Sequence, residues 1–257
     1  MVPVVLHHGL FGQGFHVGRV GWLPFRKIDC AIAAAGYDVM VTSVNPTAGI
    51  PRRAEELKSQ ILRLKKTCGS QPVVLIAHSL GGLDARYMLS QLGMSRQVRA
   101  LVTISTPHRG SPWADQCVEN IDRPLRIMQA ARRLGLDLQG ILDLTTESCR
   151  DFNKTIFDVP GVEYYSLSAA QPQGKMPAVT LISWKTISKI EGANDGLVSV
   201  KSVKSARWGT HLGTWPSDHW HTVNQRWTRE SIRLGDISPR YLEILAAVAP
   251  LTKRAGG

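Results

Sequence analysis

The chain has 257 residues, of which 43% are hydrophobic and 20% charged, enough for one folded domain with a sizeable core. No apolar run approaches the roughly 18–20 residues that span a bilayer, which excludes a transmembrane segment within the sequence. The formal net charge is +11, but the basic residues fall in scattered pairs such as Arg52-Arg53 and Lys65-Lys66 with no nucleic-acid motif, so the charge reads as a solvated surface, with attraction to an anionic lipid surface or acidic substrate as the sharper alternative.

Residues 2–6, Val-Pro-Val-Val-Leu, predict a buried strand. The strand follows Met1 directly, so no signal peptide is expected in this sequence, which leaves open a cytoplasmic protein made without a leader and a secreted one whose leader was removed. It runs into His7-His8-Gly9-Leu10-Phe11-Gly12, where glycines allow backbone amides to approach a ligand closely. His8 reads as a prop for this loop rather than as a proton carrier. Residues 26–35 predict a helix, with Ile28, Ile32 and Ala35 on one face and Gly36 as its stop. A strand follows at 37–41, then a loop at 45–51. The next helix, 52–67, buries Leu57, Ile61 and Leu64.

The most informative stretch is residues 72–87. Val73 to Ala77 is an unbroken apolar run with β-branched residues at its start, suited to a strand buried on both faces. After Ser79 the spacing of Leu80, Leu83 and Tyr87 becomes helical. Between the two lies Ala77-x-Ser79-x-Gly81, a nucleophile elbow with alanine replacing the first glycine. Such a turn strains the serine backbone, and bulky residues two positions away on either side would collide. The turn lifts the hydroxyl above the sheet and aims the Leu80 N–H at a developing oxyanion.

Residues 98–104 predict another strand, ending at Thr106-Pro107-His108. The first ~110 residues therefore alternate strand and helix, which predicts an α/β fold with a mostly parallel sheet covered on both faces. The glycine loop, Ser79 and Thr106-Pro107-His108 all fall at the carboxyl ends of strands, where such sheets bind ligands. The rhythm then breaks. Helices are predicted at 124–135 and 136–145, and 162–167 reads as a strand returning to the sheet. Residues 112–153 are expected to form a helical cap or lid within a single domain spanning 1–257, the alternative being ordinary outer helices. Asp195 lies in an Asn194-Asp195-Gly196 turn, expected between strand-like segments. Residues 215–222 form a loop carrying His219 and His221, and 241–248 predict a closing helix. Cys30, Cys68, Cys117 and Cys149 form no C-x-x-C pair, so no structural zinc is expected. They read as small buried apolar residues, and spacing leaves three pairings or free thiols open.

These motifs together resemble the bacterial triacylglycerol lipases of the α/β-hydrolase fold, of the Pseudomonas and Burkholderia type. His8-Gly9-Leu10, Ala77-His78-Ser79-Leu80-Gly81-Gly82, Arg86-Tyr87, residues 106–111, Leu144-Thr145-Thr146, residues 194–198 and His219 followed by Val223-Asn224-Gln225 match in order. The resemblance covers most of the chain and weakens in the cap. It implies cleavage of apolar carboxylic esters, with transient contact with a lipid interface. The implied nucleophile is Ser79, the acid Asp195 and the base His219, with His221 as the competing base. The implied oxyanion donors are the N–H groups of Leu10 and Leu80, with His8, Gly9, His78 and Gly81 as supporting residues. Relatives often hold a structural calcium with an aspartate two residues after the histidine. Here that position is His221, and Gln225 at another position of that site offers only a neutral oxygen, so no metal and no cofactor are expected, a calcium site built from other carboxylates being the minor alternative. An acyltransferase, thioesterase or amidase on the same fold is the alternative, and a non-catalytic ligand-binding member the remoter one.

Overall fold

The computed structural model describes residues 2–12, 16–17, 20–21, 24–68, 71–119, 139–204 and 209–249. Six strands build the main sheet: β1 (Pro3–His7), β2 (Asp38–Val41), β3 (Val73–His78), β4 (Val98–Ile104), β5 (Glu163–Ala169) and β6 (Thr210–Trp215). Their spatial order is β2-β1-β3-β4-β5-β6, and every pair is parallel. Parallel neighbours need crossovers, which the helices supply. These are α1 (Ile28–Ala34), α2 (Ile50–Cys68) and α3 (Leu80–Gln91), followed by α4 (Pro112–Glu119), α5 (Gln139–Leu142) and α6 (Thr146–Thr155). The chain closes with α7 (Leu181–Ile190), α8 (Val200–Val203), α9 (Arg229–Leu234) and α10 (Ser238–Val248).

Each central strand is buried on both faces, and its alternate residues enter different cores. Val4, Leu6, Val74 and Ile76 join Ile28 and Ile32 of α1 and Tyr241 and Leu245 of α10. Val5, Val73, Leu75 and Ala77 join Leu57 and Ile61 of α2 and Met88 of α3. Burying one such side chain contributes about 1.5–3 kcal/mol, so the two faces hold β3 rigidly at the centre. A third cluster packs Leu80 and Leu83 against Ala114, Leu144 and Cys149, joining the start of α3 to the segment after β4.

Three expectations need correction. Residues 139–145 are not one continuous helix. The Asp143 carboxylate accepts the Ile50 N–H at 2.7 Å, and Thr145 is extended and N-caps α6, accepting the Ser148 N–H. The segments flanking Asp195 are not strands: α7 precedes it, and Ser199 N-caps α8, leaving only an isolated bridge between Asn194 and Ser199. Cys30 is exposed rather than buried, while Cys149 is buried, and both are free, as is Cys117. The helix expected at 124–135 lies outside the described residues.

Candidate active site

β3 delivers Ser79 at φ 55° and ψ −131°, a left-handed backbone that a serine adopts only under strain. Three hydrogen bonds hold it there. Its N–H donates to Ile104 O at 2.9 Å, while its carbonyl accepts the Gly82 N–H at 3.0 Å and the Thr106 hydroxyl at 2.9 Å. The small residues around it are sterically required. A Cβ on Gly81 would sit 2.8 Å from His8 O, and one on Gly9 would sit 2.6 Å from Ser79 Cβ. The glycine loop after β1 therefore lies directly against the serine.

Asp195 and His219 are brought together from loops after different elements. Asp195 Oδ1 accepts the N–H groups of Leu197 and Val198 at 3.0 and 2.8 Å, which fixes the carboxylate. Its Oδ2 lies 2.8 Å from His219 Nδ1. The His219 N–H also donates to Asp195 O at 2.9 Å, so backbone and side chain dock the same two residues. Gly196 at φ 101° permits the turn. Asn194 stays in the turn, its Oδ1 accepting the Gly196 N–H. The histidine loop is shaped by Asp218, whose Oδ1 accepts the N–H groups of Trp220 and His221. The Thr222 hydroxyl closes it by donating to His219 O at 2.6 Å.

Ser79 and His219 line one cavity of about 780 Å³, together with Leu10 and a mostly apolar wall that includes Leu144, Val198 and Trp220. His221 faces elsewhere. Its Nδ1 pairs with the Ser217 hydroxyl at 3.0 Å and its Nε2 with Gly235 O at 2.9 Å. With both nitrogens engaged, it neither reaches Asp195 nor offers a ligand to calcium at the position the lipase resemblance marks. Among the described residues no three His, Cys, Asp or Glu side chains converge on a metal position.

His8 is buried, with Nδ1 donating to Gly9 O at 2.9 Å and Nε2 accepting the Val44 N–H at 3.3 Å. Burial, aided by the neighbouring Arg53 cation, lowers its pKa to about 3. It stays neutral and props the loop. The His78 ring packs at a tilt against His219 with ring centroids 4.6 Å apart and bonds His219 O at 3.2 Å. Burial holds its pKa well below the ordinary value.

A family model described as the alpha/beta hydrolase fold matches residues 2–149. The chain belongs to the alpha/beta hydrolase fold family. Within that family it is 33% identical over 214 residues to triacylglycerol lipase 2 of Saccharomyces cerevisiae, covering 79% of this chain and 62% of the yeast protein. It is 35% identical over 116 residues to the triacylglycerol lipase of Pseudomonas fragi, covering 44% of this chain and 37% of that lipase. The chain thus spans less than two thirds of the length of these relatives. Among solved hydrolase structures, a metagenomic carboxyl esterase superposes with TM-score 0.76 at 21% identity, covering 95% of this chain and 74% of that one. The Staphylococcus hyicus lipase superposes with TM-score 0.73 at 18% identity, covering 96% of both chains. At these identities the superpositions speak for the fold.

Two residues at the site were not singled out by the motifs, although the sequence carried a signal for both. Arg53 lies in phase with Leu57, Ile61 and Leu64, so a charge sits on a buried stripe. Asp84 lies one helical turn after Leu80. The structure buries both completely and joins them at 2.8 Å.

Proposed function

We propose that this chain hydrolyses carboxylic esters with an apolar acyl group through an acyl-enzyme on Ser79. The observation that carries this reading is the His219–Asp195 hydrogen bond of 2.8 Å, in the wall of the same apolar cavity that the strained elbow serine lines. With Nδ1–H held by Asp195, Nε2 of His219 is left as the base. It takes the Ser79 proton as Oγ forms a bond to the ester carbonyl carbon. The carbonyl π electrons move to oxygen, and the N–H groups of Leu10 and Leu80 receive that charge. As the intermediate collapses, the carbon–alkoxide bond breaks and His219 passes its proton to the leaving alcohol. Water then repeats both steps on the acyl-serine and releases the acid. Nothing in this sequence of steps calls on a metal or cofactor.

The lipase names of the sequence relatives support an apolar ester as the substrate class. Exposed Val179 and Trp227 at the cavity rim support transient contact with a lipid interface. The described residues of the expected cap, 112–119 and 139–153, support a cap over the site: Trp113 and Leu144 line the cavity, and Asp115 ties α4 to the first residue of α6 by bonds of 2.8 Å to the Thr146 N–H and hydroxyl. Among the described residues no helix is long and apolar enough to cross a membrane.

The test is hydrolysis of p-nitrophenyl esters from short to long acyl chains, with Ser79→Ala alongside. The expected outcome is turnover that falls by about 10⁶ in the variant. Undiminished turnover in folded Ser79→Ala would remove Ser79 as nucleophile, and no turnover on any ester by the unaltered protein would favour an amidase or acyltransferase.

A further inference from the structure

Beneath the glycine loop lies a charged cluster that takes no part in the chemistry above. The Arg53 guanidinium, wholly buried, reaches three segments. Its Nε donates to Asp84 Oδ2 at 2.8 Å, Nη1 to Asn45 O at 2.6 Å, and Nη2 to His8 O at 2.7 Å and Gly9 O at 3.3 Å. Gly9 O is also the acceptor for His8 Nδ1 at 2.9 Å. The Gly9 carbonyl and the Leu10 N–H belong to one peptide. A planar trans peptide points its C=O and N–H in opposite directions. Donors drawing that carbonyl to one side therefore set the direction of the Leu10 N–H. Among the described residues that N–H enters no backbone hydrogen bond, and Leu10 lines the cavity.

The same cluster reaches the second donor. Asp84 Oδ2 is shared with His7 Nε2 at 2.9 Å, and Asp84 lies one turn along α3 from Leu80. Arg53 thus braces the loop that carries Leu10 against the helix that carries Leu80. We propose that Arg53 is a positioning residue for ester hydrolysis, fixing the Leu10 N–H relative to the Leu80 N–H through the Gly9–Leu10 peptide. This rests on the serine-hydrolase reading above. Lysine would not replace it fully, because one ammonium on a flexible stem lacks the planar fork that bonds a carboxylate and three carbonyls together.

The experiment is steady-state hydrolysis of p-nitrophenyl butyrate by Arg53→Gln, Arg53→Lys and the double variant Arg53→Gln/Asp84→Asn. Inhibition by phenylboronic acid, whose serine adduct is tetrahedral, is measured in parallel, with thermal melts to select folded proteins. The double variant removes cation and anion together, so it stands in if Arg53→Gln alone does not fold. The expected result is a kcat lower by about 10²-fold with KM nearly unchanged, an equal weakening of boronate inhibition, and Arg53→Lys in between. Folded variants with wild-type kcat, or with a loss confined to KM and normal boronate inhibition, would overturn the proposal. If Arg53→Lys is the sole folded variant, wild-type kcat and boronate inhibition in it overturn the proposal equally. Ser79→Ala separates the two readings: if it is inactive while Arg53 variants keep kcat, only the role of Arg53 falls, and if it is active, the serine mechanism itself falls.

Discussion

His7 and Asp84 meet at 2.9 Å beneath the glycine loop, and His219 and Asp195 meet at 2.8 Å in the cavity wall. Both are histidine–carboxylate pairs whose histidine ends or follows a strand, and both are almost wholly buried. Their surroundings separate them. Asp84 Oδ2 is shared between His7 and Arg53, and the other nitrogen of His7 faces the Thr42 hydroxyl at 2.7 Å. Among the described residues Asp195 instead accepts hydrogen bonds from neutral backbone donors besides His219, and the imidazole opens onto the cavity. A sealed pair next to a fixed cation can brace backbone. A pair facing a cavity, with a serine on the same wall, can move a proton. Access and the third partner, rather than the pair itself, divide structure from chemistry.

The sharpest way to break this comparison is to neutralise each carboxylate in turn. Asp195→Asn should lower kcat for ester hydrolysis by about 10⁴, because the amide favours the wrong imidazole tautomer, while leaving the fold intact. Asp84→Asn should instead cost about 3–5 kcal/mol of stability, because it strands the buried Arg53 cation. Kinetics and urea unfolding of both variants read the two effects. Equal losses of stability would mean that the pairs are not functionally distinct.

Acid titration sharpens the comparison further. Burial holds the pKa values of His7, His78 and His108 well below 6.5, and that of His8 at about 3. In the unfolded chain all four protonate near the ordinary value. The folded state therefore binds fewer protons, and the stability present above pH 6.5 is lost as the pH falls toward 3. Asp84 works the other way: burial, outweighing Arg53, raises its pKa to about 6, so its contribution is present below 3.8 and lost as pH rises through 6. The histidines outnumber it, so the urea midpoint should fall steadily between pH 6.5 and 4.5. Each proton adds a slope of about 1.4 kcal/mol per pH unit. His8→Gln should reduce that slope by about one proton. A midpoint that stays flat over this range would contradict burial of neutral imidazoles around the site.

The first 110 residues were legible because their physics is local. Val73 to Ala77 are apolar without interruption, and Ser79 marks where that run gives way to helical spacing. The elements there fall within a few residues of expectation: β4 spans the predicted 98–104, and α2 starts two residues early because the Asp143 carboxylate caps Ile50. That cap arrives from 93 positions away, and no local pattern announces it. The later half depends on such distant partners. β6 reads Thr-His-Leu-Gly-Thr-Trp, with Gly213 at φ 138°, and has no apolar run. Its strand character comes from pairing with β5. Within the site, Asp195 and His219 carried turn and family signals. Arg53 was visible as a charge in phase with Leu57, Ile61 and Leu64, a conflict between residue type and position that periodicity alone reads as a helix face.

A third histidine provides the smallest expected effect. Ser166 Oγ lies 3.1 Å from His211 Nδ1, a serine–histidine contact that distance alone would not separate from a nucleophile and its base. The other nitrogen faces Ser168 Oγ at 3.3 Å, so neither bond of the ring goes to a carboxylate. Both serines sit within β5 and His211 within β6, and none of the three lines the cavity that holds Ser79. The arrangement ties the edge strand β6 to its neighbour. His211→Ala should therefore leave ester turnover near the wild-type value. Its cost should be about 1 kcal/mol, since Ser166 loses its imidazole partner while Ser168 keeps the Thr214 hydroxyl at 2.7 Å. Turnover assays and urea unfolding on the same preparation decide it. A large loss of kcat in a folded His211→Ala protein, with Ser79→Ala still active, would move the nucleophile from the elbow to the sheet edge and reverse the distinction drawn from cavity access.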